Sequence, residues 1–306
     1  MQFKIFNKSE SKTVKMNTKN TMVRQTRVMN HVNINAVTVN HNTSLFAELM
    51  LRSLLRCHGT GLSVTVLDNA SSDAHDMASL SAFAAARGIP ILQSGFDTVQ
   101  RHINTHGEVL RQFVLSHPDC SHYLFLDPDV YFMDESTIDV MLSELESDES
   151  AFAIMPRCTW DGKNDHSLAT GNALTGKRCL MRYSMCWSEG AEVPTAECEG
   201  VLGARLHPFC ALIKNSLPFR RTVEEVGLSI ASVFAVKSGL CWDTLGLMTA
   251  IMKTHGLGYR LSSAMVFHFF GVSYDNWAIE KKRATCNAFL RELKEIDSVN
   301  SHLAEK

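Results

Sequence analysis

Two aspartates that follow a short apolar run are the residues of this sequence best suited to chemistry. The run at 123–126 is aromatic and leucine-rich, and it ends at Asp127-Pro128-Asp129. This composition predicts a buried strand that stops at Pro128, because proline has no N–H to donate to a sheet. Two neighbouring carboxylates repel each other unless a cation offsets their charge. Oxygen ligands suit Mg²⁺ or Mn²⁺, so we expect Asp127 and Asp129 to hold a divalent metal; a solvated acidic turn is the alternative.

The elements that position these carboxylates are predicted from the pattern upstream of them. Strands are expected at 35–39, 63–67 and 89–92, and helices at 44–56, 74–87 and 105–116. This alternation predicts a mostly parallel α/β sheet. Right-handed crossovers would bring the C-terminal ends of its strands to one edge, where such sheets bind ligands. We therefore expect the turns at Asn40, Asp68 and Asp127 to share that edge.

These three turns resemble known landmarks of one enzyme family. The segments VTVNHNT at 37–43, VLDNASSD at 66–73 and YLFLDPD at 123–129 are similar, in order and spacing, to landmarks of family 2 glycosyltransferases. The similarity extends over residues 33–275 and is closest to rhamnosyltransferase-like members. It implies a GT-A-like, Rossmann-related fold: a single α/β domain with a mostly parallel sheet flanked by helices.

The resemblance also implies an activity. A sugar would pass from a nucleotide-diphosphate sugar to a glycan, a lipid-linked or another hydroxyl acceptor, with inversion and with Mn²⁺ or Mg²⁺ as cofactor. Two alternatives stay open. A non-catalytic carbohydrate-binding or scaffold protein would keep the fold without the chemistry. A sugar-phosphate nucleotidylyltransferase would need a Gly-rich loop after the first strand, where this chain has Asn40-His41-Asn42.

Several residues of the first two turns would bind the donor nucleotide. In the family the first turn cradles the base, which assigns Asn40 and His41; His41 stands where Tyr is commoner. Asp68 would accept a hydrogen bond from the N3–H of uracil or thymine, a role that suits an ionised carboxylate. The alternative for Asp68 is a turn residue that caps the next helix, and for Asp73 we expect only that capping role.

The stretch QRHINTHGE at 100–108 precedes the strand that ends at Asp127. In the family this stretch approaches the diphosphate and the sugar. The resemblance implies that Arg101 or His102 offsets phosphate charge and that Asp127 contacts the donor as well as the metal. A surface loop with a helix cap is the alternative interpretation of the stretch.

Two residues near the C-terminus complete the predicted site. Trp242-Asp243-Thr244, followed by a predicted helix at 245–255, resembles the family block whose aspartate is the catalytic base, although Trp242 stands where Glu is usual. Asp243 is therefore the predicted base, and an aspartate placed for the helix dipole is the alternative. His268, in an apolar strand predicted at 264–269, stands where GT-A enzymes often have a third metal ligand; a satisfied core histidine is the alternative.

Composition and charge narrow the class of protein. A net charge of −2 and an apolar content of 45% fit a globular protein and give no reason to expect nucleic acid as a partner. No apolar run is long enough to span a bilayer. The nine cysteines are scattered and form no C-x-x-C pair, so we expect reduced thiols and a cytoplasmic protein. A basic N-terminus would allow peripheral contact with the inner face of a membrane.

Three segments are expected along the chain: a mobile basic tail at 1–31, the GT-A-like domain at 32–275 and a C-terminal helical tail at 276–306. Within the domain, residues 32–135 would bind the nucleotide sugar and residues 136–275 the acceptor. The weakly periodic stretch 157–203 predicts a long irregular segment on the acceptor side. Its Trp160, Tyr183 and Trp187 are candidates for stacking on a sugar, with buried core positions as the alternative.

Overall fold

The computed structural model describes residues 32–57, 61–95, 105–167, 178–184, 195–201, 205–228, 231–233, 241–242, 244–272 and 278–304. The predicted tail at 1–31 lies outside these residues. In chain order the elements are β1 (Ile34–Asn40), α1 (Ser44–Leu54), β2 (Leu62–Asp68), α2 (Ala74–Ala86), β3 (Ile91–Gln93), α3 (Thr105–Ser116), β4 (His122–Leu126), β5 (Val130–Phe132), α4 (Thr137–Glu146), β6 (Ala151–Thr159), β7 (Arg178–Ser184), β8 (Thr195–Val201), β9 (Cys210–Lys214), α5 (Leu217–Glu225), β10 (Ala231–Val233), β11 (Cys241–Trp242), α6 (Gly246–Thr254), β12 (Gly258–His268) and α7 (Ile279–Ala304).

The main sheet has eight strands in the order β3-β2-β1-β4-β9-β6-β12-β5. The strands β3, β2, β1 and β4 run parallel to one another, and β6 runs parallel to β12. β9 runs antiparallel to both β4 and β6, and β5 runs antiparallel to β12. The predicted α/β fold with a mostly parallel sheet is therefore confirmed.

The central strands are apolar along nearly their whole length because other parts of the chain cover both faces of the sheet. All five residues of β4 are buried, and β1 buries six of its seven. Parallel strands that are buried on both faces have this near-continuous apolar composition. Packing against the sheet comes from helices such as α1, whose Met50, Leu51 and Leu54 are fully buried.

The strand register brings the predicted turns together. Asn40 pairs with Asp68 across β1 and β2, and Thr38 pairs with Leu126 across β1 and β4. The ends of these three strands therefore lie side by side at one edge of the sheet, as predicted. The turn that contains Asp127 begins at this edge, next to the turns that follow Asn40 and Asp68.

The C-terminal helix α7 is docked through residues in its first half and middle. Its Cys286, Leu290 and Leu293 are buried in a second apolar cluster with Phe46 and Leu49 of α1. No helix in the described parts of the chain is long and apolar enough to cross a membrane.

The region predicted as irregular, 157–203, is only partly so. β6 continues to Thr159, and β7 and β8 pair antiparallel in a second, four-stranded sheet of order β11-β10-β7-β8. The prediction was wrong for these strands because the signal is short: in β8, Glu197 and Glu199 alternate with small residues over only seven positions. The strand predicted at 264–269 begins earlier than expected, at Gly258, and β12 has a register shift between Leu261 and Met265.

Candidate metal centre

The turn after β4 is fixed by backbone hydrogen bonds from two other strands. The N–H of Asp127 donates to the carbonyl of Phe209, just before β9, at 2.9 Å. The carbonyl of Asp129 accepts from the N–H of Phe269, just after β12, at 3.0 Å. Pairing of β12 with β5 places His268 opposite Val130, one residue beyond Asp129. The backbone therefore holds Asp127, Asp129 and His268, the metal triad, in one place.

The metal triad brings its ligand atoms close together. One oxygen of each carboxylate and one nitrogen of the imidazole all lie within 4.8 Å of one another, and no other such group is found in the described part of the chain. Asp129 and His268 are buried, whereas Asp127 is half-buried. Two carboxylate oxygens and an imidazole, open to solvent on the Asp127 side, fit Mn²⁺ or Mg²⁺ with positions left for other ligands.

His268 carries a proton when no metal is bound. Burial alone would lower its pKa, but the charge of Asp129 and the hydrogen bond to it outweigh burial and, with smaller contributions from Cys158 and Asp127, raise the pKa to about 10. Nε2 of His268 lies 3.2 Å from Oδ1 of Asp129. Nδ1 is buried without a hydrogen-bond partner among the described residues. The Cys158 thiol nevertheless lies close enough to the ring to help raise its pKa. The imidazolium thus compensates Asp129 where a metal would otherwise do so.

Asp68 is a buried carboxylate held by three donors. The amide of Asn40 donates to its Oδ1 at 3.0 Å, and the amide of Gln93 donates to its Oδ2 at 3.1 Å. The N–H of Ser71 also donates to Oδ2, at 3.3 Å. Ser71 precedes α2, so Asp68 organises the turn and does not cap the next helix. Each carboxylate oxygen has two lone pairs, and Oδ1 accepts one of these three bonds, which leaves it capacity for a ligand.

Asp73 caps a different helix from the one expected. Its Oδ2 accepts from the N–H of Ser44 at 3.0 Å, and its Oδ1 accepts from the Ser44 hydroxyl at 3.0 Å. It makes no side-chain hydrogen bond to α2, which begins directly after it. The expectation was wrong because the register of β1 and β2 brings the turn after β2 against the start of α1. The Ser44 hydroxyl also accepts from the Asn40 amide at 3.0 Å, so the cap is connected to the Asn40–Asp68 pair.

His41 is oriented by the backbone of the neighbouring turn. Its Nδ1 lies 2.7 Å from the carbonyl of Asn69, and it therefore carries the proton that donates there. The ring is half-buried, which leaves part of its surface at the same edge as Asp68. This position is compatible with the role in base binding that the resemblance implies.

His106 is a residue of this site that the sequence did not single out. Its Nε2 lies 3.8 Å from Oδ1 of Asp127, and both side chains are about 30% exposed. It lies in the stretch 100–108, which is expected to approach the diphosphate. This location is the one feature of the sequence that could have indicated His106 as a site residue. Arg101 and His102, the residues named in that stretch, lie outside the described residues.

The predicted base, Asp243, also lies outside the described residues. Helix α6 begins at Gly246, and the residue before it, Leu245, has a left-handed backbone with φ of +66°. The predicted helix start at 245 was therefore one residue early.

Trp160 is an exposed aromatic residue that contacts Phe270, whose ring in turn contacts His268 of the metal triad. It is 47% exposed, so a core position is excluded. Its ring stacks on the imidazole of His166 at 3.4 Å and meets Phe270 edge-on at 5.3 Å. Together with Phe270, Lys281 and Thr285 it lines a largely apolar cavity of about 430 Å³. The side chains of Tyr183 and Trp187, the other candidates for sugar stacking, lie outside the described residues.

Known proteins resemble the chain in structure only. No family model matches it, and no curated protein matches it in sequence. It is similar to a mannosyltransferase from Pyrobaculum calidifontis solved in complex with GDP-Man and Mn²⁺, at 12% identity and a TM-score of 0.50, over 84% of this chain and 61% of that one. It is also similar to glucosyl-3-phosphoglycerate synthase from Mycobacterium tuberculosis solved with Mn²⁺, UDP and phosphoglyceric acid, at 13% identity and a TM-score of 0.45, over 86% of this chain and 78% of that one. The chain thus spans about three fifths of the mannosyltransferase's length, and the similarity shows the fold, which is the GT-A fold.

Proposed function

We propose that this GT-A chain is a metal-dependent glycosyltransferase that moves a sugar from a nucleotide-diphosphate sugar to a hydroxyl acceptor. The observation that carries the proposal is the metal triad: two carboxylates and an imidazole meet at the edge of the sheet, next to the Asn40–Asp68 pair. The mannosyltransferase with the same fold was solved with GDP-Man and Mn²⁺, which supports the same class of donor and metal.

Asp127, Asp129 and His268 would hold Mn²⁺ or Mg²⁺ in this proposal. The bound cation would neutralise the charge that develops on the diphosphate leaving group when the glycosidic bond breaks. Asp129 and His268 are the buried ligands, whereas Asp127 is half-buried and faces His106. Asp127 would contact the donor as well as the cation.

The nucleotide would bind at the neighbouring turns. Asn40, His41 and Asp68 lie at the same edge as the metal triad, and Asp68 is held rigidly by its three donors. A preorganised carboxylate acceptor is suited to the N3–H of uracil or thymine, because little reordering accompanies binding. Arg101 would offset phosphate charge from the stretch that precedes α3.

Deprotonation of the acceptor is assigned to Asp243. A carboxylate base on the face of the sugar opposite the leaving diphosphate would give in-line attack and inversion. This assignment rests on the resemblance of Trp242-Asp243-Thr244 to the family block. We further propose that residues 32–135 bind the donor and residues 136–275 the acceptor, with Trp160 as a platform for a sugar ring.

A donor screen tests the proposal. The full chain is incubated with UDP-, GDP- and dTDP-sugars, with Mn²⁺ or with EDTA, and release of the nucleotide diphosphate is measured without an acceptor. We expect slow, Mn²⁺-dependent hydrolysis of one donor and faster release when a hydroxyl acceptor is added. Binding of a donor without any turnover would favour the scaffold alternative. Failure of every donor to bind would contradict the proposal.

A further inference from the structure

A buried lysine of α7 fastens the turn that follows β12. The ammonium of Lys282 donates to the carbonyl of Phe270 at 2.6 Å, and the side chain is buried among the start of α7 and this turn. A charge-assisted bond of this length is among the stronger hydrogen bonds in proteins. Nothing in the sequence of α7 indicates this contact.

The turn that Lys282 holds has an unfavourable backbone. Phe270 has φ of +54° and Gly271 has φ of +60°, both in the left-handed region. Glycine adopts this conformation readily, but a residue with a large side chain does so only when its surroundings enforce it. The Lys282–Phe270 bond opposes relaxation of this turn.

The conformation of Phe270 affects a member of the metal triad. The centroid of its ring lies 3.9 Å from that of His268, with an interplanar angle of 37°. The ring of Phe209 also stacks on His268, at 4.9 Å. These two rings and the Asp129 carboxylate determine how the imidazole is oriented. If the turn relaxed, the Phe270 ring would move away and His268 would lose one of these contacts.

We propose that Lys282 is a positioning residue for the divalent metal: through Phe270 it holds the imidazole of His268 in the orientation that binds the cation. This inference rests on the proposed function, because it takes His268 to be a metal ligand. Residues that orient a ligand of a metal commonly change its affinity by about 10- to 100-fold when they are replaced. The C-terminal helix would therefore be part of the metal centre and not only a cover for the apolar cluster.

Neighbours of Lys282 supply matched controls. Arg283 pairs with Asp76 of α2 at 2.6 Å, so Arg283→Met removes a different attachment of the same helix. Lys281 is exposed one residue earlier, so Lys281→Met removes the same charge without the bond to Phe270. In the described part of the chain, neither Lys281 nor Arg283 hydrogen-bonds to the metal triad.

Mn²⁺ binding to the full-length protein, followed by electron paramagnetic resonance, tests the proposal. We expect Lys282→Met to raise the dissociation constant for Mn²⁺ by about tenfold or more, whereas Lys281→Met and Arg283→Met stay within about twofold of the unaltered protein. Lys282→Arg keeps a donor and should recover part of the affinity. Unchanged affinity in Lys282→Met, or an equal loss in Arg283→Met, would overturn the proposal.

A second variant covers the case in which Lys282→Met does not fold. Phe270→Gly suits the left-handed backbone and removes only the ring that contacts His268, so it should also weaken Mn²⁺ binding by about tenfold. Affinity equal to that of the unaltered protein would overturn the positioning role. If the unaltered protein binds no Mn²⁺, the proposed function fails and this inference fails with it. If it binds Mn²⁺ and a folded Lys282→Met or Phe270→Gly variant binds it equally well, only the inference fails.

Discussion

Nε2 of His268 lies 3.2 Å from Oδ1 of Asp129, although 139 residues separate them in the chain. The contact exists because β12 pairs with β5 and places His268 opposite the residue that follows Asp129. Both side chains are only 7% exposed, so each of them depends on the other for charge compensation. Removal of one partner leaves the other charge buried without compensation. The resulting loss of stability exceeds the net contribution of the intact pair.

Asp129→Asn should therefore lower the stability of the metal-free protein. A carboxylate fully exposed at the edge of the sheet would contribute little, but Asp129 is 6% exposed and accepts from His268. We expect the free energy of unfolding to fall by about 1–3 kcal/mol, measured by urea denaturation in EDTA. Asp139→Asn, at an exposed position on α4, is the matched control and should change it by less than about 0.5 kcal/mol. A variant as stable as the control would show that the pair is not a source of stability.

The same pair predicts a dependence of stability on pH. The pKa of His268 is raised to about 10 in the folded protein, above the value of about 6.5 in an unfolded chain. Its contribution to stability is therefore fully present below about pH 6.5 and is lost as the pH rises towards 10. Between about pH 6 and pH 9, the free energy of unfolding of the unaltered metal-free protein should fall by more than that of the Asp129→Asn variant. Parallel pH profiles for the two proteins would contradict the assignment.

Asp68→Asn should disturb the edge of the sheet despite its small change in size. The side chain of Asp68 accepts from the Asn40 amide, the Gln93 amide and the Ser71 N–H, and an asparagine would turn an NH₂ group towards one or more of these donors. A buried donor left without an acceptor costs about 1–3 kcal/mol. We expect the free energy of unfolding, measured by urea denaturation, to fall by this amount. Nucleotide binding should also become weaker. Wild-type stability would mean that the three bonds are not made in solution.

Asp73→Ala tests the helix cap that the structure reassigns. Because the carboxylate accepts from the N–H and the hydroxyl of Ser44, its loss should destabilise the protein by about 1 kcal/mol through α1. Ser44→Ala keeps the backbone bond to Asp73 but removes the hydroxyl's bonds to Asp73 and Asn40, so its cost should be of about the same size. A double-mutant cycle between Asp73→Ala and Ser44→Ala should show coupling, and additive effects would indicate that Asp73 acts elsewhere.

The shared edge that carries Asn40, Asp68 and Asp127 could be predicted from the sequence because its signals are local. β1, β2 and β4 are short apolar runs that end in polar turns, and the helices between them determine that the strands are parallel. The structure departs from the prediction where a partner is chosen at long range. β9 inserts antiparallel between β4 and β6, and Asp73 bonds to Ser44 at the start of α1. Nothing in the local pattern around His106 or Lys282 indicates which residue each will contact.

Asp243→Asn tests the catalytic base. Asparagine keeps the size of the side chain but does not take a proton, so the rate of sugar transfer should fall by about 10²- to 10⁴-fold. The dissociation constant of the donor should stay within about twofold, because the proposed metal and nucleotide contacts are made by other residues. Rapid-quench measurement of a single turnover separates these two effects. Transfer at the unaltered rate would place the base elsewhere, and the acidic residues at 189–199 would be examined next.

The central claim is that the metal triad binds a divalent cation together with a nucleotide diphosphate. Isothermal titration of UDP and GDP into the full chain, with Mn²⁺ or with EDTA, measures this directly, with Asp129→Asn as the test variant and Asp139→Asn as the control. The account predicts that one nucleotide binds only when Mn²⁺ is present, that Asp139→Asn binds it equally well, and that Asp129→Asn weakens this binding by about tenfold or more. Binding that is equally tight in EDTA, or an Asp129→Asn variant with unchanged affinity and metal requirement, would contradict it.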